Sequence, residues 1–265
     1  MSNIRPAAVA GMFYPDDRYN LHNYLTELLK EAKSTSQSCP KAIIVPHAGY
    51  IYSGPVAASA YHLLEAYRER IKRVVLLGPS HRVALIGLAA SSADYFATPL
   101  GAIPVDQASV TAALKLPQVR LMNEAHEFEH SLEVQLPFLQ TVLDDFTLAP
   151  LVVGDAEPSE VSEVLELLWG GDETLIVISS DLSHYHGYHL AQQMDRATSN
   201  AIEQLRPEEL HHDDACGRHP VSGLLLLAKQ KGLRAKTIDL RNSGDTAGSR
   251  DQVVGYGAYI FEYQH

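Results

Sequence analysis

The stretch RVVLLGPSH, residues 73–81, is an apolar run that ends in Gly, Pro, Ser and His. Two other stretches share the pattern, KAIIVPH (41–47) and TLIVISSDLSHYH (174–186). Short runs of Val, Ile and Leu bounded by turn residues are typical of buried strands in a mostly parallel sheet. Because ligands of such sheets bind outside the carboxyl ends of the strands, the three runs predict a shared crevice there.

The rest of the chain alternates helical and strand patterns. The predicted helices are residues 19–33, 53–70, 106–115, 131–143, 158–169, 188–204 and 219–231. The further predicted strands are residues 83–91, 146–153, 234–241 and 253–262. In the second helix, Ser53 is the predicted cap and Pro55 lies in the first turn. With no low-complexity linker, residues 1–265 predict a single three-layer α/β domain whose mixed, mostly parallel central sheet is flanked by helices.

Composition narrows the class of protein. The 265 residues are 46% apolar, enough for one core, and the net charge of −11 argues against nucleic acid or an anionic membrane as partner. The first residues show no signal-peptide pattern, and no apolar run has transmembrane length. Two cysteines give no disulfide framework and fit a reducing compartment. We therefore expect a cytoplasmic protein without a membrane or nucleic-acid partner.

Three of the 13 histidines, His47, His81 and His184, follow the apolar runs. Imidazole is a common ligand of Fe, Cu and Zn, and three protein ligands that leave an open position are typical of catalytic sites. We expect His47 and His81 to bind a metal. His184 is expected to be either a third ligand or an acid/base catalyst. Asp181, three residues before His184, is a candidate ligand, orienting group or base.

The stretch EHSLEVQLPFL (129–139) adds two candidates. His130 and Glu133 are three residues apart and share a helix face, and the apolar residues that follow favour an inward orientation. We predict that both line the site in a catalytic role; the alternative is an exposed charged face. Glu129 and the glutamates before it are interpreted as such a face.

Three other stretches carry weaker signals. CGRHP (216–220) places Cys216 near a histidine, but it opens an apolar helix with Pro220 in its first turn, so a buried structural cysteine is the favoured interpretation. The stretch GPSHR (78–82) has a serine at a strand end, as the nucleophile turn of a serine hydrolase does. That turn requires Gly where this chain has Arg82, so a serine hydrolase is not favoured. The polar loop 241–252 contains glycines that could present backbone amides to an anion.

Taken in order, several of these motifs resemble one known family. They are RPAAVAGMFYP, PHAGYIYSGPVAASAY, VVLLGPSH, FEHSLEVQLPFL, VISSDLSHY, CGRHP and VGYGAY, from residue 5 to about residue 259. The chain resembles the Memo family, whose prokaryotic members are called AmmeMemoRadiSam system protein B. The resemblance implies a fold like that of class III extradiol dioxygenases, in which two His and a Glu hold Fe(II) and another His serves in acid/base catalysis.

The resemblance also implies site residues and a cofactor. His47 and His81 match the two ligand histidines, and His184 matches a third site histidine accompanied by Asp181. Fe(II) is the expected metal, with Cu or Zn as alternatives. The animal members are similar but place a cysteine ligand in the loop before the last strand. Thr246 stands there in this chain beside Asp245, so the third ligand is left open and thiolate-based copper chemistry is not expected.

These observations predict a metal-dependent, dioxygenase-like oxidoreductase of unknown substrate. The alternative is a non-catalytic module that binds an anionic peptide or small ligand through protonated histidines and the loop at 241–248. The family name further implies association with a radical SAM protein and an AMMECR1-like protein.

Overall fold

Strands and helices alternate along the chain as the sequence predicts. The computed structural model describes residues 2–36 and 38–263. The strands are β1 (Ile4–Arg5), β2 (Ala42–Val45), β3 (Arg73–Pro79), β4 (Leu88–Ala90), β5 (Tyr95–Thr98), β6 (Gly101–Pro104), β7 (Val119–Leu121), β8 (Thr147–Val153), β9 (Thr174–Ser179), β10 (His184–His186), β11 (Leu233–Asn242) and β12 (Val253–Tyr263). The helices are α1 (Arg18–Glu31), α2 (Tyr50–Tyr61), α3 (Gln107–Ala113), α4 (Glu124–Glu127), α5 (His130–Glu133), α6 (Leu136–Val142), α7 (Pro158–Leu168), α8 (Tyr188–Glu203) and α9 (Arg218–Gln230).

The three apolar runs form the centre of one large sheet. Its strand order is β10-β12-β2-β9-β3-β8-β4-β7, and β11 pairs with β12. Strands β2, β9, β3 and β8 run parallel, whereas β12 and β4 are antiparallel to their neighbours β2 and β8. The predicted mixed, mostly parallel sheet is therefore confirmed.

Helices flank this sheet because its central strands have apolar side chains on both faces. Every residue of β2 and β9 is buried. Helices α1, α2 and α6 pack against one another, and α7 packs against both α3 and α9. Between α2 and α6, the rings of Tyr61 and Phe138 stack at 4.8 Å. Burying such a side chain contributes roughly 1.5–3 kcal/mol to the stability of the fold. No helix of the described residues is both long and apolar enough to cross a membrane.

The predicted start of helix α2 is wrong by one turn. The helix begins at Tyr50 and has Gly49 at its N-cap, so the chain enters it almost directly from β2. Ser53 does not cap it but donates a side-chain hydrogen bond to the Ala48 carbonyl oxygen at 2.8 Å. Pro55 consequently lies inside the helix rather than in its first turn.

Two other predicted elements are shortened. The helix predicted at 131–143 is divided into α5 and α6, and Pro137 lies in the first turn of α6. The strand predicted at 83–91 is reduced to β4 because Gly87 has a φ of 81°. A Cβ atom at Gly87 would lie 2.2 Å from the Gln118 carbonyl oxygen, so this turn requires glycine.

The sequence pattern does not predict a second sheet, of order β1-β5-β6. Its strands have two to four residues, too short to show the two-residue periodicity of a strand. Strand β1 pairs in parallel with β5, so residues near the start of the chain are fixed beside residues about ninety positions later.

Candidate metal centre

The predicted site residues surround one cavity of about 620 Å³. Strands β2, β9 and β3 are neighbours, so the residues that follow their carboxyl ends meet at one edge of the sheet. The cavity wall includes these predicted residues: His47, His81, His130, Asp181 and His184. Glu133 is not part of the wall.

His47 is held in one tautomer by a chain of hydrogen bonds. Its Nδ1 lies 2.8 Å from the Ser179 hydroxyl oxygen. That hydroxyl donates its proton to the Ser131 carbonyl oxygen at 2.6 Å and accepts from the Gln135 amide at 2.7 Å. Because the Ser179 hydroxyl already donates its proton to Ser131, it can only accept from the His47 ring. Nδ1 of His47 therefore carries the ring proton, and Nε2 carries the lone pair. Nε2 lies 3.3 Å from Cys216 Sγ.

Cys216 reaches this position from the segment that leads into α9. The approach requires Gly217, since a Cβ atom there would lie 2.7 Å from Ser180 Cβ. The Asp181 backbone N–H donates to the sulfur at 3.3 Å, which favours a thiolate. Burial raises the pKa of the Cys216 thiol well above its ordinary value, so without a cation it remains protonated. The interpretation of Cys216 as purely structural is corrected, because its sulfur faces a site histidine.

His81 is oriented by Glu129. The His81 ring donates from Nδ1 to one carboxylate oxygen at 2.9 Å, and its backbone N–H donates to the other at 2.6 Å. The interpretation of Glu129 as an exposed charge is wrong, since only 1% of it is accessible. Burial would raise the pKa of Glu129, but the hydrogen bonds from His81 and Ser131 outweigh it and lower the pKa to about 2. Because Nδ1 faces the carboxylate, Nε2 is the ring nitrogen of His81 that is available to a metal.

Two overlapping groups of side chains could hold a metal ion. In each group, one ligand atom per residue lies within 4.8 Å of the others: His47, His81 and Cys216 form one, and His81, Glu129 and His130 the other. In the second group, Glu129 Oε1 already accepts hydrogen bonds from the His81 ring and from a backbone N–H. In the first group, His47 Nε2 contacts only another member of the group, the Cys216 sulfur, so this is the better donor set.

His130 and His184 line the cavity as neutral rings. The His130 ring stacks on that of His81, with centroids 4.6 Å apart, and lies 4.8 Å from the ring of Phe13. Burial lowers the pKa of His130 to about 4 and also lowers the pKa of His184. His184 belongs to neither donor group, so the predicted ligand role for His184 has no geometric support here.

Asp181 supports His47 rather than joining a donor group. Its Oδ1 accepts the backbone N–H of His47 at 2.7 Å. Burial raises the pKa of Asp181 to about 7. Of its predicted roles, this geometry fits that of an orienting group.

The comparisons with known proteins agree with the motifs. A family model described as Memo-like protein matches residues 5–260. The chain belongs to the Memo family. It is 38% identical to a MEMO1 family protein of Aquifex aeolicus over 97% of this chain and 99% of that protein. It is 36% identical to a MEMO1 family protein of Methanosarcina barkeri over 98% and 100%, respectively.

A solved structure shares the fold. The chain superposes on an uncharacterized protein of Escherichia coli K12 with a TM-score of 0.56 and 15% sequence identity. The match covers 81% of this Memo family chain and 98% of the other chain. At this identity the likeness shows the fold alone.

Glu133 has a structural position that the sequence did not reveal. Its buried carboxylate pairs with Arg5 and accepts hydrogen bonds from the Ala8 and Val9 backbone N–H groups at 2.7 and 2.9 Å and from the Tyr14 hydroxyl. The prediction that Glu133 lines the cavity is therefore wrong. Its carboxylate instead fixes the segment that places Phe13 in the cavity wall.

The loop before the last strand supplies no metal ligand in this Memo family member. The Thr246 hydroxyl donates to the Ser243 carbonyl oxygen at 3.2 Å, and Asp245 accepts from the Tyr188 hydroxyl and faces Arg250. Neither Thr246 nor Asp245 lines the cavity. Although this loop has no cysteine, as the sequence shows, Cys216 brings a sulfur atom to the site from the segment that precedes α9.

Proposed function

We propose that this Memo family protein is a metal-dependent oxidoreductase whose mononuclear centre is held by His47, His81 and Cys216. One observation carries the proposal: His47 Nε2 and Cys216 Sγ lie 3.3 Å apart. Nitrogen and sulfur ligands that share a tetrahedral metal are about 3.5 Å apart, given metal–ligand bonds of roughly 2.0 and 2.3 Å. The residues present therefore fit a metal that accepts imidazole and thiolate.

The donor set suits redox-active metals. The family resemblance favours Fe(II), and a thiolate with two imidazoles also suits Cu(I) and Zn(II). A bound iron or copper ion would supply one-electron chemistry beside the cavity. We assign iron first, with copper the alternative that Cys216 supports.

The chain supplies the remaining functions. Glu129 fixes the His81 ring, and the Asp181 N–H stabilises negative charge on the sulfur. Neutral His130 and His184 provide hydrogen-bond acceptors for a ligand in the cavity, because burial keeps their pKa values below the ordinary one. A small molecule or a peptide side chain is the ligand size that a cavity of about 620 Å³ accepts.

The alternative of an anion-binding module has less support. Protonated histidines were its expected contacts, yet burial lowers the pKa of His47, His130 and His184. The described cavity wall contains no Lys or Arg. An anion would therefore find no lysine or arginine side chain to pair with there.

Metal content after anaerobic purification without a His tag tests the proposal. We expect close to one equivalent of iron or copper in the wild type, and loss of it in His81→Ala and Cys216→Ser. Cys39→Ser is the matched control, since Cys39 lies outside both donor groups. Equal trace metal in wild type and Cys216→Ser would refute the metal centre.

Oxygen uptake then tests the oxidoreductase activity. Metal-loaded wild type and His81→Ala would be compared on a panel of small reductants and catechols. Uptake that depends on His81 supports the activity, whereas a stoichiometric metal with no uptake on any compound favours a binding role.

A further inference from the structure

Tyr185 has an unusual backbone conformation. Among residues 2–36 and 38–263, the non-glycine residues with positive φ are Tyr185 at 59° and Leu205 at 52°. Leu205 ends helix α8, where the Arg206 N–H bonds to the Ala201 carbonyl oxygen and the Leu205 N–H to that of Ile202, so a left-handed residue is normal there. Tyr185 ends no helix.

Tyr185 instead forms a bulge in β10. His184 pairs with Val254 and His186 with Val253, which leaves Tyr185 as the extra residue. Bulges with a left-handed residue usually have glycine there, and a residue with a Cβ atom shifts the folding equilibrium roughly tenfold against the native state. Because Tyr185 is 70% exposed, burial of its ring does not offset this cost. Strain without a folding gain is typical of functional positions.

The bulge directs an aromatic ring to the cavity. Tyr185 is part of the wall, with its ring centroid 5.9 Å from that of His184. Tyr52, on α2, is part of the same wall and is 39% exposed. The mouth of the cavity thus has accessible aromatic rings from two separate elements, and the wall has no Lys or Arg.

We propose that Tyr52 and Tyr185 form an aromatic clamp that holds an uncharged aromatic ring of the ligand at the cavity mouth. The clamp names the class of ligand that the proposed metal centre would receive, so its role rests on the proposed function. Two exposed rings gain contact area when an apolar group lies against them, and they gain stacking energy as well when that group is an aromatic ring. Because the wall has no Lys or Arg, a phosphate or carboxylate on that ring would find no cationic side chain beside the clamp.

Binding of para-fluorophenol, followed by fluorine NMR, tests the clamp. We expect phenol to displace the probe at lower concentration than cyclohexanol, which has similar size but no π system. Tyr185→Gly should weaken probe binding roughly three- to tenfold, and Tyr185→Phe should keep wild-type affinity. Tyr19→Ala, at an exposed tyrosine outside the cavity wall, is the control.

Stability of two variants tests the strain separately. Tyr185→Gly can adopt the left-handed conformation freely, whereas Tyr185→Ala cannot. We expect the unfolding equilibrium constant of Tyr185→Ala to be roughly tenfold larger. Equal values would overturn the strain argument.

Three binding results would overturn the clamp: no probe binding by wild type, equal binding by Tyr185→Gly, or displacement of the probe by inorganic phosphate. Metal content is measured on the same samples, with and without added metal. Tyr185-dependent binding to a protein that takes up no metal would refute the metal centre but retain the clamp. A metal-loaded protein without such binding would refute the clamp alone.

Discussion

Replacing Glu129 with Gln perturbs the group that orients His81. The carboxylate accepts hydrogen bonds from the His81 ring at 2.9 Å, the His81 N–H at 2.6 Å and the Ser131 N–H at 2.9 Å. An amide has only one oxygen, so in either orientation its NH₂ group faces at least one of these donors. If it faces the His81 ring, that ring must move its proton to Nε2 and can no longer bind a metal there. Loss of such a partner costs roughly 10- to 100-fold in metal affinity, or about 1.4–2.7 kcal/mol.

Competition for Zn²⁺ against a chromophoric chelator at neutral pH measures this loss. Glu127→Gln is the matched control, because Glu127 lies two residues away and is exposed. We expect Glu127→Gln to bind like the wild type. Glu129→Gln that is folded, as judged by thermal unfolding, yet binds within about threefold of wild type would refute the orienting role.

Three further predictions concern stability and the approach of Cys216. Burial raises the pKa of Asp195 to about 6. Between about pH 4 and 6 the folded state therefore binds more protons than the unfolded state, and the wild type loses stability as the pH rises through that window. Asp195→Asn, which keeps an acceptor for the Ser183 N–H, should match wild type near pH 4 and exceed it by about 3 kcal/mol above pH 6 in urea unfolding. Arg5→Met leaves the Glu133 carboxylate buried without its cation and should lower the free energy of unfolding by about 3–5 kcal/mol, a loss that Glu133→Gln in the same chain should partly restore. Gly217→Ala should displace the segment that carries the site sulfur and weaken Zn²⁺ binding at least roughly tenfold, and unchanged affinity would contradict the close-approach argument.

The sheet and part of the site were predictable because their signals are local. Each apolar run encodes a buried strand, and parallel neighbours bring their carboxyl ends together, so His47, His81 and Asp181 meet at one edge. Helix boundaries were less accurate: the start of α2 depends on the Gly49 cap rather than on Ser53.

Cys216 and Glu129 could not be recognised because their partners are distant in sequence. Cys216 meets His47 across 169 residues, and its own neighbours show only an apolar helix. In sequence, Glu129 resembles the exposed glutamates before it. Its inward orientation is linked to a local hydrogen bond from the Ser131 N–H, which becomes visible only in the structure. Glu133 shows the reverse error, since a helical spacing shared with His130 does not reveal that Arg5 binds it.

The Glu133 contacts also bear on the order in which the protein assembles. Ala8 and Tyr14 leave the ribosome well before Glu133, from which Ala8 is separated by 125 residues. Until that glutamate is synthesised, the early segment has no buried partner for its N–H groups. During synthesis Phe13 therefore takes its place in the cavity wall only after Glu133 has been made, although it lies far ahead of Glu133 in the chain. A bulky fusion directly ahead of this segment would consequently interfere with completion of the cavity rather than with formation of the large sheet, whose strands all come later in the chain.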